Sequence, residues 1–103
     1  MTVEEAMPER VAKRIREVLE GHPNVRRAVL FGSRAKGNFR EGSDIDLALE
    51  GEGLDERELV RLMGEFDDAP IAHRVDILLK KKIKHPALLE HIERVGKIFY
   101  EQR

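Results

Sequence analysis

The stretch LFGSRAKGNFREGSDIDL, residues 30–47, decides how the rest of the chain is interpreted. It contains a Gly32-Ser33 turn, a polar loop, and Asp44-Ile45-Asp46 at the start of a second apolar run. Glycine lets the backbone approach a ligand closely, and a serine at the start of a helix offers a hydroxyl and a backbone N–H to an anion. Arg34 and Lys36 place positive charge beside this turn. The pattern predicts a phosphate-binding turn after one strand and two carboxylates at the start of the next.

Asp44 and Asp46 belong to an alternating run and project from the same face, with Cα atoms roughly 7 Å apart. Their oxygens suit a hard cation such as Mg²⁺ or Mn²⁺. An isolated Asp-x-Asp is more often a polar strand face or a turn cap, and an isolated Gly-Ser is more often an ordinary turn. Here, however, Asp76 adds a third acid in another alternating run, Arg74–Lys80. Because aspartate is disfavoured in strands and like charges on one face repel, the cluster favours a metal site.

Hydrophobic periodicity predicts the remaining elements. Two helices are expected, from Glu9 to Glu20 and after a capping aspartate, Asp55. A third helix begins at Pro86. The predicted strands are Val25–Phe31, Ile45–Glu50, Arg74–Lys80 and a short edge strand Ile98–Tyr100. This order predicts a single domain over residues 1–103 of the α/β (α+β) class, with a small mixed sheet covered by helices on one face and open on the face that carries the acids.

Composition limits the classes of function. The chain has 103 residues, of which 38% are charged, yet its net charge is only −1. This balance gives no general attraction to nucleic acid or to an anionic membrane, so direct binding to either is not expected. Cysteine is absent, which excludes thiolate metal sites, and no stretch reaches the length of a membrane span, so a cytoplasmic protein is expected. The run Lys80–Lys84 is interpreted as a solvated strand end, and the four histidines show no metal-ligand spacing.

The combined string, Gly32-Ser33, ten residues and Asp44-Ile45-Asp46, resembles the signature of the DNA polymerase β-type nucleotidyltransferase superfamily. With Arg74-Val75-Asp76-Ile77 and the ending Leu89 to Tyr100, nearly the whole chain is similar to the minimal nucleotidyltransferases, small bacterial and archaeal proteins of about this length. The turn is not a Walker A loop, because no Gly-Lys-Ser/Thr follows at the required spacing.

The resemblance implies a polymerase β-like fold and a metal-dependent transfer of a nucleoside monophosphate, with two Mg²⁺ or Mn²⁺ ions acting on a nucleoside triphosphate such as ATP. It implies that the catalytic residues and metal ligands are Asp44, Asp46 and Asp76. It also implies that Gly32 and Ser33 hold the β- and γ-phosphates. Arg34 and Lys36 are then expected to neutralise charge around those phosphates.

The same resemblance implies a partner protein. Minimal nucleotidyltransferases often accompany a helical HEPN-type toxin, and some act as antitoxins by adding AMP to a tyrosine of it. The alternative is a non-catalytic nucleotide-binding antitoxin that acts by contact. Modification of a small molecule is less favoured, because no second domain forms an acceptor pocket. The last helix and residues 98–100 are either a docking surface or part of the core, and a homo-oligomer stays open as a further arrangement.

Overall fold

The structure, a computed structural model, describes residues 2–102, so the first and last residues of the predicted domain lie outside it. Within that range, helices and strands follow one another in the order α1, β1, α2, β2, α3, β3, α4 and β4. Their bounds are α1 Glu9–Glu20, β1 Arg27–Phe31, α2 Gly32–Lys36, β2 Ile45–Glu50, α3 Glu56–Asp68, β3 Val75–Leu79, α4 Pro86–Val95 and β4 Lys97–Glu101. Short 3-10 turns occupy Val3–Glu5 and Lys80–Lys82.

The local sequence signals account for most of these bounds. α1 and β2 run over the predicted residues, and α4 begins at Pro86, whose missing N–H costs nothing in a first helical turn. Asp55 caps α3 as predicted, because its carboxylate accepts the N–H of Glu58 at 2.9 Å. The Glu58 side chain does not complete the capping box and instead bonds Asn24 and His22. β1 starts two residues later than predicted, after the turn that follows α1.

The sheet is mixed, in the order β3-β2-β1-β4. β1 is antiparallel to both of its neighbours, whereas β2 and β3 are parallel because α3 returns the chain between them. In this register Asp46 lies beside Asp76 on one side and beside Phe31 on the other. The starts of β2 and β3 therefore meet the end of β1, and the Gly32-Ser33 turn, at one end of the sheet.

Helices α1 and α3 cover one face of the sheet over a large core, which confirms the predicted fold class. The second face is not fully open, and this corrects the expectation that helices would lie on one face only. Ile92 of α4 packs there on Val29, Phe31 and Ala48. The cause lies in β1, whose residues are apolar on both faces and need a cover on each. What stays uncovered by that second cluster is the end of the sheet where the aspartates lie.

Within residues 2–102, no helix has both the length and the apolar character needed to cross a bilayer.

A buried polar cluster fastens the α1–β1 turn to α3, at the end of the sheet opposite to the aspartates. His22 Nδ1 lies 2.8 Å from Glu58 Oε2, and His22 Nε2 lies 2.6 Å from Glu65 Oε2. Asn24 donates to the other Glu58 oxygen at 3.0 Å. This hydrogen bond, and next the hydrogen bond and charge of His22, hold the pKa of the Glu58 carboxyl below its ordinary value although burial opposes the shift. The cluster satisfies a carboxylate that is almost fully buried.

Removal of the ring should therefore destabilise the protein. In His22→Ala, Glu58 keeps Asn24 but loses the partner of its second oxygen, so we expect the free energy of unfolding at neutral pH to fall by about 2 kcal/mol. Urea denaturation measures it, with His85→Ala, an exposed histidine, as the matched control.

The pH dependence of the stability tests whether ionised Glu58 causes this loss. A lowered folded-state pKa means that ionised Glu58 contributes stability above its ordinary pKa of 4.5, and that this contribution is lost as the pH falls through the lowered value. The loss of unfolding free energy caused by His22→Ala should therefore become smaller as the pH falls below about 4.5 and Glu58 is protonated. Equal stabilities of His22→Ala and His85→Ala at neutral pH would show that the cluster contributes nothing.

Candidate active site

The structure brings the three predicted carboxylates to one place. Asp44 immediately precedes β2, Asp46 lies within it, and Asp76 is the register partner of Asp46 on the parallel strand β3. Ile45 and Leu47, which alternate with them, are buried in the core on the opposite face. The aspartates therefore share the face that α1 and α3 do not cover, and each remains partly exposed.

The Gly32-Ser33 turn is pressed against this acidic face. Gly32 has φ of 75°, in the left-handed region, and a Cβ built on it would collide with Oδ2 of Asp46. The positive φ favours glycine through backbone strain, and an added Cβ would force the Asp46 carboxylate to turn aside. Because Phe31 pairs with Asp46 across the sheet, the turn that follows Phe31 must pass directly over that carboxylate. The predicted phosphate turn and the predicted metal ligands are thus neighbours.

The electrostatics of the cluster are unfavourable in the absence of a cation. Burial first, and then the charges of Asp76 and Asp44, raise the pKa of the Asp46 carboxyl to about 6, while Arg74 opposes the shift. Arg74 Nε donates to Asp76 Oδ1 at 3.0 Å and is the nearest described counter-charge. One cation from the chain thus offsets part of a charge that three carboxylates share. A divalent ion would offset more of it.

The donor set fits magnesium bound together with a substrate. Within residues 2–102, no three carboxylate or imidazole side chains are arranged closely enough to hold a metal ion as they stand. Mg²⁺ does not need such a cage, because it commonly takes one or two carboxylates, phosphate oxygens and several waters. Asp46 and Asp76 in register, with Asp44 beside them, supply the carboxylates. The chemistry of the site therefore suits a metal that arrives with a phosphate.

His91 is a site residue that sequence reasoning missed. The N–H of Gly32 donates to His91 Nε2 at 3.1 Å, and the imidazole meets the ring of Phe31 edge-on, with centroids 6.2 Å apart. The contact joins α4 to the first residue of the phosphate turn across 59 positions of sequence. Histidine spacing carried no signal for it, since only the packing of α4 on β1 creates the contact. Ser33 is partly exposed beside Gly32, and Lys36 is exposed at the end of α2.

The Arg34 side chain lies inside the protein, not at the surface beside the Gly32-Ser33 turn. Its side chain is only 2% exposed, and its guanidinium donates to the backbone oxygens of Ser43, Ala6 and Glu41. It also lies over the ring of Phe39, with Cζ 4.6 Å from the centroid. The donors in these bonds are directed to the protein backbone and are therefore not offered to a phosphate at the turn. Phe39, which lies under the guanidinium, anchors the loop to Arg34.

Comparisons with known proteins agree with this geometry. Residues 13–103 match the family model described as polymerase beta, nucleotidyltransferase. The chain is 39% identical over 83 residues to a protein from Methanocaldococcus jannaschii whose name gives protein adenylyltransferase as its provisional activity. That alignment covers 80% of this chain and 86% of the relative.

Solved structures share the fold. One is a toxin–antitoxin complex with AMP-PNP, matched with a TM-score of 0.71 at 23% identity over 89% of this chain and 74% of the other. Another contains a tri-AMPylated HEPN toxin from Shewanella oneidensis with an MNT antitoxin, matched with a TM-score of 0.61 at 18% identity over 93% and 74% of the two chains. A nucleotidyltransferase-like chain from Sulfolobus solfataricus matches with a TM-score of 0.56 at 22% identity, over 90% and 82%.

A methyl group added at Gly32 tests how tightly the turn packs on Asp46. Gly32→Ala places a Cβ against Asp46 Oδ2 on a backbone with positive φ, so we expect the free energy of unfolding to fall by about 2 kcal/mol. Gly42→Ala is the control for a methyl group that meets neither restraint, because its φ is not positive and a Cβ there meets nothing within 4 Å. Chemical denaturation of both variants decides the point, and equal stabilities would contradict the close approach.

The charge cluster predicts that one carboxylate lowers stability. The folded-state pKa of Asp46 is raised, so the folded protein loses stability as the pH rises from about 4 to about 6. Asp46→Asn should therefore unfold with a free energy about 1–2 kcal/mol higher at pH near 7.5 in the presence of a chelator, after allowance for solvent screening. The gain should vanish below pH of about 4, where both proteins are uncharged at this position. Asp67→Asn, exposed on α3, is the control and should show no such pH-dependent gain.

Proposed function

The chain belongs to the polymerase β nucleotidyltransferase family, and on that premise we propose that it transfers AMP from ATP to a hydroxyl group of a partner protein. Nucleotidyltransferase activity follows from the family, and protein adenylylation is supported by the name of the Methanocaldococcus relative. The observation that carries the proposal is the alignment of Asp46 with Asp76 directly against the Gly32 turn. Carboxylates and a phosphate turn are the two parts that this transfer requires.

Each site residue has a separate role in the proposed transfer. Gly32 and Ser33 bind the β- and γ-phosphates, and Lys36 offsets their charge from the end of α2. Asp44 and Asp46 would hold the divalent cations, proposed to be two as in other two-metal phosphoryl-transfer sites, and Asp76 would be a further ligand. When bound, the ions neutralise the triphosphate and stabilise the charge that develops in an in-line displacement.

Asp76 is the proposed proton acceptor. Arg74 holds one of its oxygens, Oδ1, at 3.0 Å, which leaves Oδ2 for the acceptor hydroxyl. The attacking oxygen forms a bond to the α-phosphorus, the bond from that phosphorus to the bridging oxygen breaks, and pyrophosphate leaves. The proton of the hydroxyl passes to Asp76. Asp76 lies on β3, whereas Asp46 lies in β2 and Asp44 immediately precedes it, so Asp76 is the carboxylate proposed to face the acceptor.

A HEPN-type helical protein is the proposed partner, in a cytoplasmic toxin–antitoxin pair. The support is the fold shared with antitoxin complexes, one of which holds AMP-PNP and another an AMPylated toxin. The aspartates lie on a partly exposed end of the sheet, so a partner seated there would exclude water from the bound nucleotide. The contact-only antitoxin is less favoured, since it would retain a destabilising carboxylate cluster without use.

Labelled nucleotide tests the function directly. The protein is purified at native expression with its co-eluting proteins and incubated with ATP labelled at the α-phosphate. We expect Mg²⁺- or Mn²⁺-dependent label on one co-eluting protein and none with Asp44→Asn. Asp76→Asn should keep the affinity for Mg²⁺-ATP within about threefold but slow transfer by about a hundredfold or more, because Asp76 is proposed to act on the acceptor side of the metal pair.

Asp67→Asn, exposed on α3, controls for the loss of a negative charge and should transfer at the unmodified rate. Calorimetry supplies the affinities. Unchanged metal-dependent ATP affinity in Asp44→Asn would remove Asp44 from the metal site. Label on a free small molecule at ordinary enzyme rates, by a lone chain, would refute the partner.

A further inference from the structure

We propose that Arg34 is a positioning residue, which holds the loop between α2 and β2 and thereby fixes the position of Asp44, the last residue before β2. The inference deepens the proposed nucleotidyl transfer and rests on it, because it concerns how the site is assembled rather than which groups react. Positioning is proposed here instead of the charge-neutralising role that the family resemblance implied for Arg34.

The guanidinium is used at all three of its nitrogens. Nε donates to Ser43 O at 3.1 Å, Nη2 to Glu41 O at 3.0 Å, and Nη1 to Ala6 O at 2.7 Å. The acceptors are backbone oxygens, two in the loop and one in the segment that precedes α1. Arg34 is only 2% exposed, and its bond to Ala6 is buried while the two bonds to the loop are part-buried, which limits competition from water. One side chain therefore joins three separate pieces of backbone.

The loop has little else to define its shape. Residues 37–43 form no helix or strand, and most of them are exposed. In the described part of the chain, the other hydrogen bonds recorded for residues 38–43 are local and join Arg40 to Ser43. The ring of Phe39, stacked on the guanidinium, is a further link to Arg34. The path of the loop thus depends on this one residue.

The position of Asp44 follows from that path. Ser43, whose carbonyl Arg34 holds, is the residue immediately before Asp44, and Asp44 lies just before the sheet begins. On its other side Asp44 is restrained by β2, because Ile45 N–H donates to Arg74 O at 2.9 Å. A shift of Ser43 by an ångström would move the Asp44 carboxylate by a similar amount, which is enough to impair a reaction that depends on alignment.

Arginine is required by geometry rather than by charge. The guanidinium is a planar fork whose donors point in several fixed directions, whereas the lysine ammonium is a compact charge at the end of a flexible chain. Lysine at position 34 would keep the positive charge near the phosphates but could not hold carbonyls in both the loop and the N-terminal segment. The two explanations of Arg34, positioning and charge, therefore differ in what they predict for the conservative substitution.

The experiment compares Arg34→Lys and Arg34→Ala with Arg40→Ala, whose side chain is exposed on the same loop. Amide hydrogen exchange is followed at residues 37–44, and Mg²⁺-ATP affinity, kcat and KM are measured alongside. We expect both Arg34 variants to exchange faster in the loop than the unmodified protein while β1 and β2 stay protected. We also expect transfer to slow by about a hundredfold. Millimolar guanidinium should restore loop protection and transfer in Arg34→Ala and leave Arg40→Ala unchanged.

The outcomes separate the inference from the function on which it rests. Loop exchange is measured without nucleotide or acceptor, so it tests Arg34 even if the unmodified protein transfers nothing. Full transfer with Arg34→Lys and unchanged exchange would overturn positioning and support a role of charge alone. If Arg34→Ala does not fold, Arg34→Lys decides by the same measurements. Loss of protection throughout the sheet in Arg34→Lys would also overturn the inference, because it would make Arg34 a general stabiliser.

Discussion

The close packing of Gly32 against the Asp46 carboxylate is the constraint on which the rest of the site depends. It favours glycine, it sets the turn directly over the acidic strand, and it contributes to the burial that raises the pKa of Asp46 to about 6. A carboxylate in such surroundings lowers the stability of the empty protein. A divalent cation bound between the carboxylates and a triphosphate would offset this cost, because its positive charge faces both anionic groups.

Stability is supplied elsewhere in the molecule. The core under α1 and α3 is continuous, and the His22 cluster closes the end of the sheet away from the aspartates. This division lets one end of β2 carry repelling charges while the other end is firmly held. A small domain can tolerate a strained site when the strain is confined to one edge of a well-packed sheet.

The side chains that organise the site make their main contacts with the backbone. His91 accepts the N–H of Gly32, so a phosphate must either displace that contact or use the amides that follow in α2. Arg34 donates hydrogen bonds to backbone carbonyls of the loop and is proposed to hold the loop rather than the substrate. Neither role depends on a motif, and both explain why residues around a short signature matter as much as the signature itself.

The sequence by itself determined the α/β class, the bounds of α1 and β2, the start of α4, and the shared face of Asp44 and Asp46. These follow from local rules, the periods of strands and helices and the preferences of caps. The tertiary structure alone decided that α4 covers part of the second face, that Asp76 lies in register with Asp46, that His91 reaches Gly32 and that Arg34 is buried. Each of these features depends on how separate elements pack. The burial of Arg34 against backbone carbonyls cannot be predicted from residue spacing, because its partners are brought together only by the fold.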